Sequence, residues 1–198
     1  MQKTSDVAQL AAITKRMRRT AIEMITEAGS GHPGGSLSSA EIVTTLFFDV
    51  MRHDPDNPHW PDRDRFILSK GHCCPILYAV MAECGYCPKD QLTSLRKLGS
   101  IYQGHPDVRF LPALEASTGS LGLGLSLGLG MSLAARLNGG KSRSYVVLGD
   151  GDRRVRGRIR GAELPDTGRT SGNRSAAGLV LGNSKRIRDA PIGLPRQG

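Results

Sequence analysis

Residues 149–151 read Gly-Asp-Gly directly after the β-branched run Tyr145-Val146-Val147-Leu148. A carboxylate between two glycines at the end of a buried strand is a seat for a hard cation and the phosphates it carries. Three histidines sit in loops of similar design: Gly31-His32-Pro33-Gly34, Lys70-Gly71-His72 and Gly104-His105-Pro106. Glycine lets backbone approach a ligand closely, and proline stiffens the turn. One such histidine is most simply a surface or capping residue. Three before residue 152 point to a shared polar pocket, where imidazoles bind phosphate oxygens, hydrogen-bond hydroxyls or relay protons. His53 and His59 lack that setting and are expected to face solvent. The segment Ser117-Thr118-Gly119-Ser120-Leu121-Gly122-Leu123-Gly124 precedes a helix, so its amides could face an anion or an aromatic ring, or its glycines could serve only tight helix packing. It is not a dinucleotide fingerprint, because Leu127 stands where a third glycine is required.

The elements that must position these residues alternate between helix and strand. Val7, Leu10, Ile13, Met17, Ala21, Met24 and Ile25 recur at helical spacing, which predicts an amphipathic helix over 6–28 ended by Gly29. Residues 30–36 read as a loop. Ser38-Ser39-Ala40-Glu41 is a capping-box pattern that would open a second helix through about Met51. Residues 53–64 read as a surface loop, and Phe66–Ser69 as a short buried strand. Lys70-Gly71-His72 then turns into a helix running to about Cys84. A helix from Pro88 to Gly99, an irregular stretch over 101–117, a close-packed Gly/Leu helix within 119–137 and a strand over 144–148 complete the pattern. Strands alternating with helices indicate an α/β domain with a parallel sheet and flanking helices.

The chain has 198 residues and a net charge of +9. That charge is concentrated in residues 153–198, which hold ten Arg and one Lys against Glu163, Asp166 and Asp189. Residues 1–152 are near neutral and read as one domain with a real core. Residues 153–198 have no aromatic, His, Cys or Met, and Leu179-Val180-Leu181 is their single apolar cluster. Such a segment is expected to be disordered, or the product of a shifted reading frame. Its charge also admits a basic arm on nucleic acid, but it lacks interleaved aromatics and the first 152 residues carry no recognition motif, so nucleic acid is not the expected partner. No signal peptide or membrane-spanning run is evident, so a cytoplasmic protein with reduced thiols and no membrane partner is expected. Cys84-Gly85-Tyr86-Cys87 is formally C-x-x-C. Zinc would need two further ligands, which Cys73, Cys74 and His72 could supply, but these begin a packed helix. The cysteines read as small buried apolar residues.

Five segments carry a resemblance in order and spacing. These are Ala28 to Ser38 (AGSGHPGGSLS), Asp62 to His72 (DRDRFILSKGH), Gln103-Gly104-His105-Pro106, Glu115 to Gly122 (EASTGSLG) and Gly149-Asp150-Gly151. Over residues 6–151 the chain resembles the N-terminal part of the transketolases, most closely the short N-terminal subunit of the split type. The resemblance implies a truncated thiamine-diphosphate-binding domain of the pyrophosphate-binding type. It implies transfer of a two-carbon ketol unit between sugar phosphates, with thiamine diphosphate and Mg²⁺ as cofactors. By the same resemblance Asp150 would ligate Mg²⁺, and the Gly151 amide would lie near the diphosphate. His72 would contact the diphosphate near the substrate. Gly119, Ser120 and Leu121 would line the cofactor, and His32 and His105 would face the donor sugar. The implied partners are a C-terminal transketolase subunit, which would recognise the aminopyrimidine, and a second copy of this chain.

The departures are specific. Leu123 replaces a Gln, Asp152 stands where Glu is usual after Gly-Asp-Gly, and Cys73 and Cys74 replace Ala. After Asp152 the expected acidic, aromatic-containing helix is missing. The second Mg²⁺ ligand, an Asn about thirty residues beyond the Asp, has Asn183 as its one candidate, after the possible strand relic Leu179–Gly182. A chain of this kind could descend from a transketolase N-terminal half and yet be catalytically incompetent.

Overall fold

In the computed structural model the described residues are 3–149, 151–152 and, as backbone, 178–182. Helix α1 spans Val7–Ala28. Its N-terminus is capped by Asp6, whose Oδ1 accepts from the amides of Ala8 (2.7 Å) and Gln9 (3.3 Å). Gly29, left-handed at φ 62°, closes its C-terminus on the Thr26 carbonyl. Thr14, Met17, Ala21 and Met24 form its buried face.

The stretch expected as a plain loop contains a short helix, α2 (Pro33–Leu37), with Pro33 at its first position, where a missing N–H costs nothing. It runs almost directly into α3 (Ala40–Thr45). The capping box is therefore not made. The hydroxyls of Ser38 and Ser39 donate back to the Gly35 carbonyl (3.0 and 2.9 Å), and Glu41 pairs with Arg18. The helix expected through Met51 changes at Leu46 to one π-helical turn, Leu46–Val50.

Strand β1 is Arg65–Leu68. A 3-10 turn, Gly71–Cys73, leads into α4 (Cys74–Cys84), which is buried on nearly every side and ends at Gly85 (φ 98°). The helix expected from Pro88 to Gly99 is only a 3-10 segment, Lys89–Ser94. Beyond it Arg96 adopts φ 62° and donates its amide to the Tyr102 carbonyl, which turns the chain away from a helical path. Helix α5 is Leu123–Leu137 and strand β2 is Ser144–Leu148. Strand β3, Gly178–Gly182, contains the apolar cluster of the basic segment.

β1 and β2 pair in parallel, Arg65 opposite Ser144 and Leu68 opposite Val147. β3 pairs with β2 antiparallel, Val180 opposite Val146, so the sheet order is β1-β2-β3 and the sheet is mixed. The expected parallel arrangement thus holds for β1 and β2. The strand around Leu179–Leu181 runs the other way. Asn183 lies outside the described residues.

Side chains alternate across the sheet with a period of two. Phe66, Leu68, Tyr145 and Val147 join the main core with α1, α3 and α4. Ile67, Val146 and Leu148 face Leu125 of α5 on the opposite side. The domain is α/β, with helices on both faces of the sheet. Glycine allows α5 to lie this close: a Cβ on Gly128 would stand 2.4 Å from Val146 Cγ2, and one on Gly124 2.6 Å from Ser69 Cβ.

Candidate functional site

The candidate residues gather where β1 and β2 end at their carboxyl termini, the usual ligand side of a parallel pair. β1 continues into Ser69-Lys70-Gly71-His72, and β2 into Gly149 and Gly151-Asp152. His32 precedes the first turn of α2, and its ring meets that of His72 edge to face, centroids 5.0 Å apart at 79°. His105 is held from behind. Tyr78 on α4 donates its hydroxyl to the carbonyls of Gln103 (3.1 Å) and His105 (3.0 Å). The His105 ring lies against Gly119, where a Cβ would come within 3.1 Å of its Cδ2.

Burial, then the neighbouring His32, Lys70 and His105, push the His72 pKa below its ordinary value, against the weaker opposing pull of Asp152. Burial, then Arg96 and His32, push His105 down as well. Both shifts favour the neutral ring, which has one N–H to donate and one nitrogen to accept.

The turn 118–122 is pressed onto the 3-10 turn that follows β1. Gly71 has no room for a side chain, because a Cβ there would sit 2.8 Å from Thr118 Oγ1 and 2.9 Å from the Gly119 amide. Gly119 (φ 151°) and Gly122 (φ 85°) take conformations that side chains disfavour. Thr118 Oγ1 is buried and has no hydrogen-bond partner among the described residues. Leu121 reaches Gly151, where a Cβ would stand 3.0 Å from Leu121 Cδ1. Ser120 and Leu121 are exposed at the tip of the turn.

His32, His72, His105, Gly119, Leu121 and Gly151 thus share one face, with Ser120 at its rim. Asp150 lies outside the described residues. Among the described residues no group of three His, Cys, Asp or Glu side chains could hold a metal ion. Cys73, Cys74, Cys84 and Cys87 are buried and unpaired. Burial raises all four thiols, Cys73 to about 11 and Cys74 to about 12.

Three residues of the site escape the sequence patterns. Lys70 is 3% exposed, and its ammonium donates to the Gly35 carbonyl (3.0 Å) and the Ser38 hydroxyl (3.1 Å), tying the His32 loop to the end of β1. Asp152 is 2% exposed and accepts from Ser69, Gly122 and Gly149. Arg96 donates to Ser30 Oγ (3.2 Å), and its guanidinium borders Gly104 beside His105. The signal that could have found two of them is a charged residue placed just after a buried strand, at Lys70 and at Asp152.

One expectation is corrected. His53 is half-buried rather than solvent-facing. Its Nε2 bonds the Phe47 carbonyl (2.6 Å), so Nε2 carries the proton and Nδ1 accepts from the Tyr86 hydroxyl (2.8 Å). The π-helical turn at Leu46–Val50 holds that carbonyl toward the ring, a relation no local pattern encodes. His59 is exposed, as expected.

The family described as transketolase, thiamine diphosphate binding domain matches residues 9–152. Over 139 residues the chain is 40% identical to a subunit of the apulose-4-phosphate transketolase of Phocaeicola vulgatus, covering 70% of this chain and 49% of that protein. Over 136 residues it is 43% identical to the 6-deoxy-6-sulfo-D-fructose transketolase subunit SqwG of a Clostridium species, covering 69% of this chain and 50% of that one. Human transketolase is 45% identical over 138 residues, covering 69% of this chain and 22% of the human protein. The match thus spans about half the length of the two subunit relatives. Among solved structures, the transketolase of Campylobacter jejuni aligns with a TM-score of 0.72 at 32% identity, covering 75% of this chain and 24% of that one. The chain belongs to the transketolase family, and residues 9–152 are its thiamine diphosphate binding domain.

Proposed function

We propose that this chain is the cofactor-holding subunit of a two-chain transketolase, which transfers a two-carbon ketol unit between sugar phosphates. A C-terminal transketolase subunit would complete the site, a second copy of this chain would complete the assembly, and the cytoplasm would be its location. The names of the two subunit relatives support a split organisation. The observation that carries the reading is the grouping of His32, His72 and His105 around a glycine turn at the strand ends.

The residues present fit thiamine diphosphate. The turn at Gly119 and Gly122 is open to close approach, and the buried Thr118 hydroxyl lacks a partner among the described residues. Gly119, Ser120, Leu121 and the Gly151 amide would line the cofactor, and His72 would donate to its diphosphate. Asp150 would supply one oxygen to Mg²⁺, a hard cation that takes few protein ligands when it bridges phosphates. When bound, the cofactor supplies the carbanion chemistry. The chain's part is orientation and proton handling: His32 and His105 would hydrogen-bond the donor hydroxyls and accept a proton from them.

Calorimetric titration with thiamine diphosphate and Mg²⁺ tests this reading, using the full chain mixed with the C-terminal transketolase subunit of the same genome. Saturable binding with ketol transfer is expected. No binding beside a partner that is active with an intact N-terminal subunit overturns it.

A second reading concerns residues 153–198. The family match stops at residue 152, and the basic, aromatic-free sequence starts at the next residue. We infer that residues 1–152 form the domain and that the remainder is read from a shifted frame, which would leave an incompetent fragment of the subunit. Resequencing the gene decides this. A frame that continues into transketolase-like sequence supports it, and an uninterrupted frame encoding the sequence as it stands refutes it.

A further inference from the structure

We propose that Asp152 is a positioning residue, a carboxylate latch that sets the spacing of three segments of the half-site. The ligand held by those segments rests on the reading given under Proposed function; the latch itself does not. Asp152 Oδ1 accepts from Ser69 Oγ at 2.6 Å and from the Gly122 amide at 2.7 Å, and Oδ2 accepts from the Gly149 amide at 2.8 Å. Ser69 follows β1, Gly149 follows β2, and Gly122 caps the N-terminus of α5. Ser69 and Gly122 lie 83 and 30 residues from Asp152 in sequence, so no local pattern joins the three.

The arrangement suits a buried carboxyl group. A carboxylate out of water needs several donors, and those to a charged acceptor are the stronger kind. The amides of Gly122 and Gly149 lie outside any helix or strand ladder, so without Asp152 a buried donor at Gly122 and a part-buried donor at Gly149 would have no partner among the described residues. The surroundings leave little slack. A Cβ on Gly149 would be 3.5 Å from Asp152 Oδ2, and α5 already presses Gly124 onto Ser69. The turn carrying Gly119 and Leu121 is therefore tied to the end of β2 by one side chain, in addition to its packing on Gly71 and the Thr118 amide's bond to the Pro106 carbonyl.

The test uses the full chain without ligand, followed by amide hydrogen exchange. In the wild type, Gly122 and Gly149 are expected to exchange at least about a hundredfold more slowly than free amides, although they belong to no ladder. Fast exchange there overturns the latch and needs no variant. In Asp152→Asn, exchange at these two glycines is expected to rise about tenfold or more while Val146 and Ile76 keep their protection. A uniform rise at all four positions, or none, also overturns it. A calorimetric titration with thiamine diphosphate and Mg²⁺ beside the partner subunit is expected to be about tenfold weaker for the variant. If the wild type fails to bind while the exchange pattern holds, the functional reading fails and the latch stands.

Discussion

The imidazoles of His32 and His72 meet edge to face with centroids 5.0 Å apart and planes at 79°. Two cationic rings at that separation would repel, and burial opposes charge on His72 in any case.

The first prediction concerns pH. His53, His72 and His105 all have folded-state pKa values below the 6.5 of an unperturbed imidazole. Below about pH 6.5 the unfolded chain therefore binds more protons than the folded one, and stability falls with falling pH until the folded histidines titrate. Thermal melts should be highest above neutrality and decline toward about pH 5. NMR titration should place the His72 and His105 midpoints below 6.5; midpoints above it would contradict the burial seen here.

Lys70 acts on the same ring. Its ammonium helps to push the His72 pKa down. Lys70→Met should raise the His72 midpoint relative to the wild type and loosen the His32 loop, whose Gly35 carbonyl keeps the Ser38 and Ser39 hydroxyls but loses its charged donor. A midpoint that stays put or drops would show that the Lys70 charge is not felt at the ring.

Tyr78→Phe removes one hydroxyl that serves two carbonyls, those of Gln103 and His105. Taking this donor from two part-buried carbonyls, of which Gln103 keeps the weak Cys74 thiol donor, should cost about 0.5–1.5 kcal/mol in denaturant unfolding. The His105 ring should also move relative to Gly119, read as changed NOE contacts between them. A melt within error of the wild type would deny the tether.

Two glycines of α5 should respond in opposite directions to alanine. At Gly128 the new methyl meets Val146 Cγ2 at 2.4 Å, so overpacking should cost about 1–3 kcal/mol. At Gly130 nothing lies within 4 Å, so helix propensity should stabilise by up to about 1 kcal/mol. Equal effects in thermal melts would mean that α5 does not pack closely on the sheet.

Elements with strong periodicity were legible: α1, both parallel strands and the core of α4 appear within a few residues of their expected bounds. Elements decided by a neighbour were not. α2 forms because Pro33 starts a helical turn that α3 continues, so the serines of the capping box bond Gly35 instead. The 88–99 helix stops at Ser94 because Arg96 turns left-handed to reach Tyr102. Nothing in Leu179-Val180-Leu181 states the direction in which it will pair.

The sequence by itself determined which chemistry the chain carries: three Gly-flanked histidines, a glycine turn and a Gly-Asp-Gly end, in an order that names the family. It did so because those residue types and spacings are set by local backbone demands. Tertiary structure alone decided that His53 is half-buried between Phe47 and Tyr86 and that Lys70 and Asp152 hold the site. Buried charges and hydrogen-bonding rings take their partners from whichever segments meet at the strand ends, and those segments lie far apart in the chain.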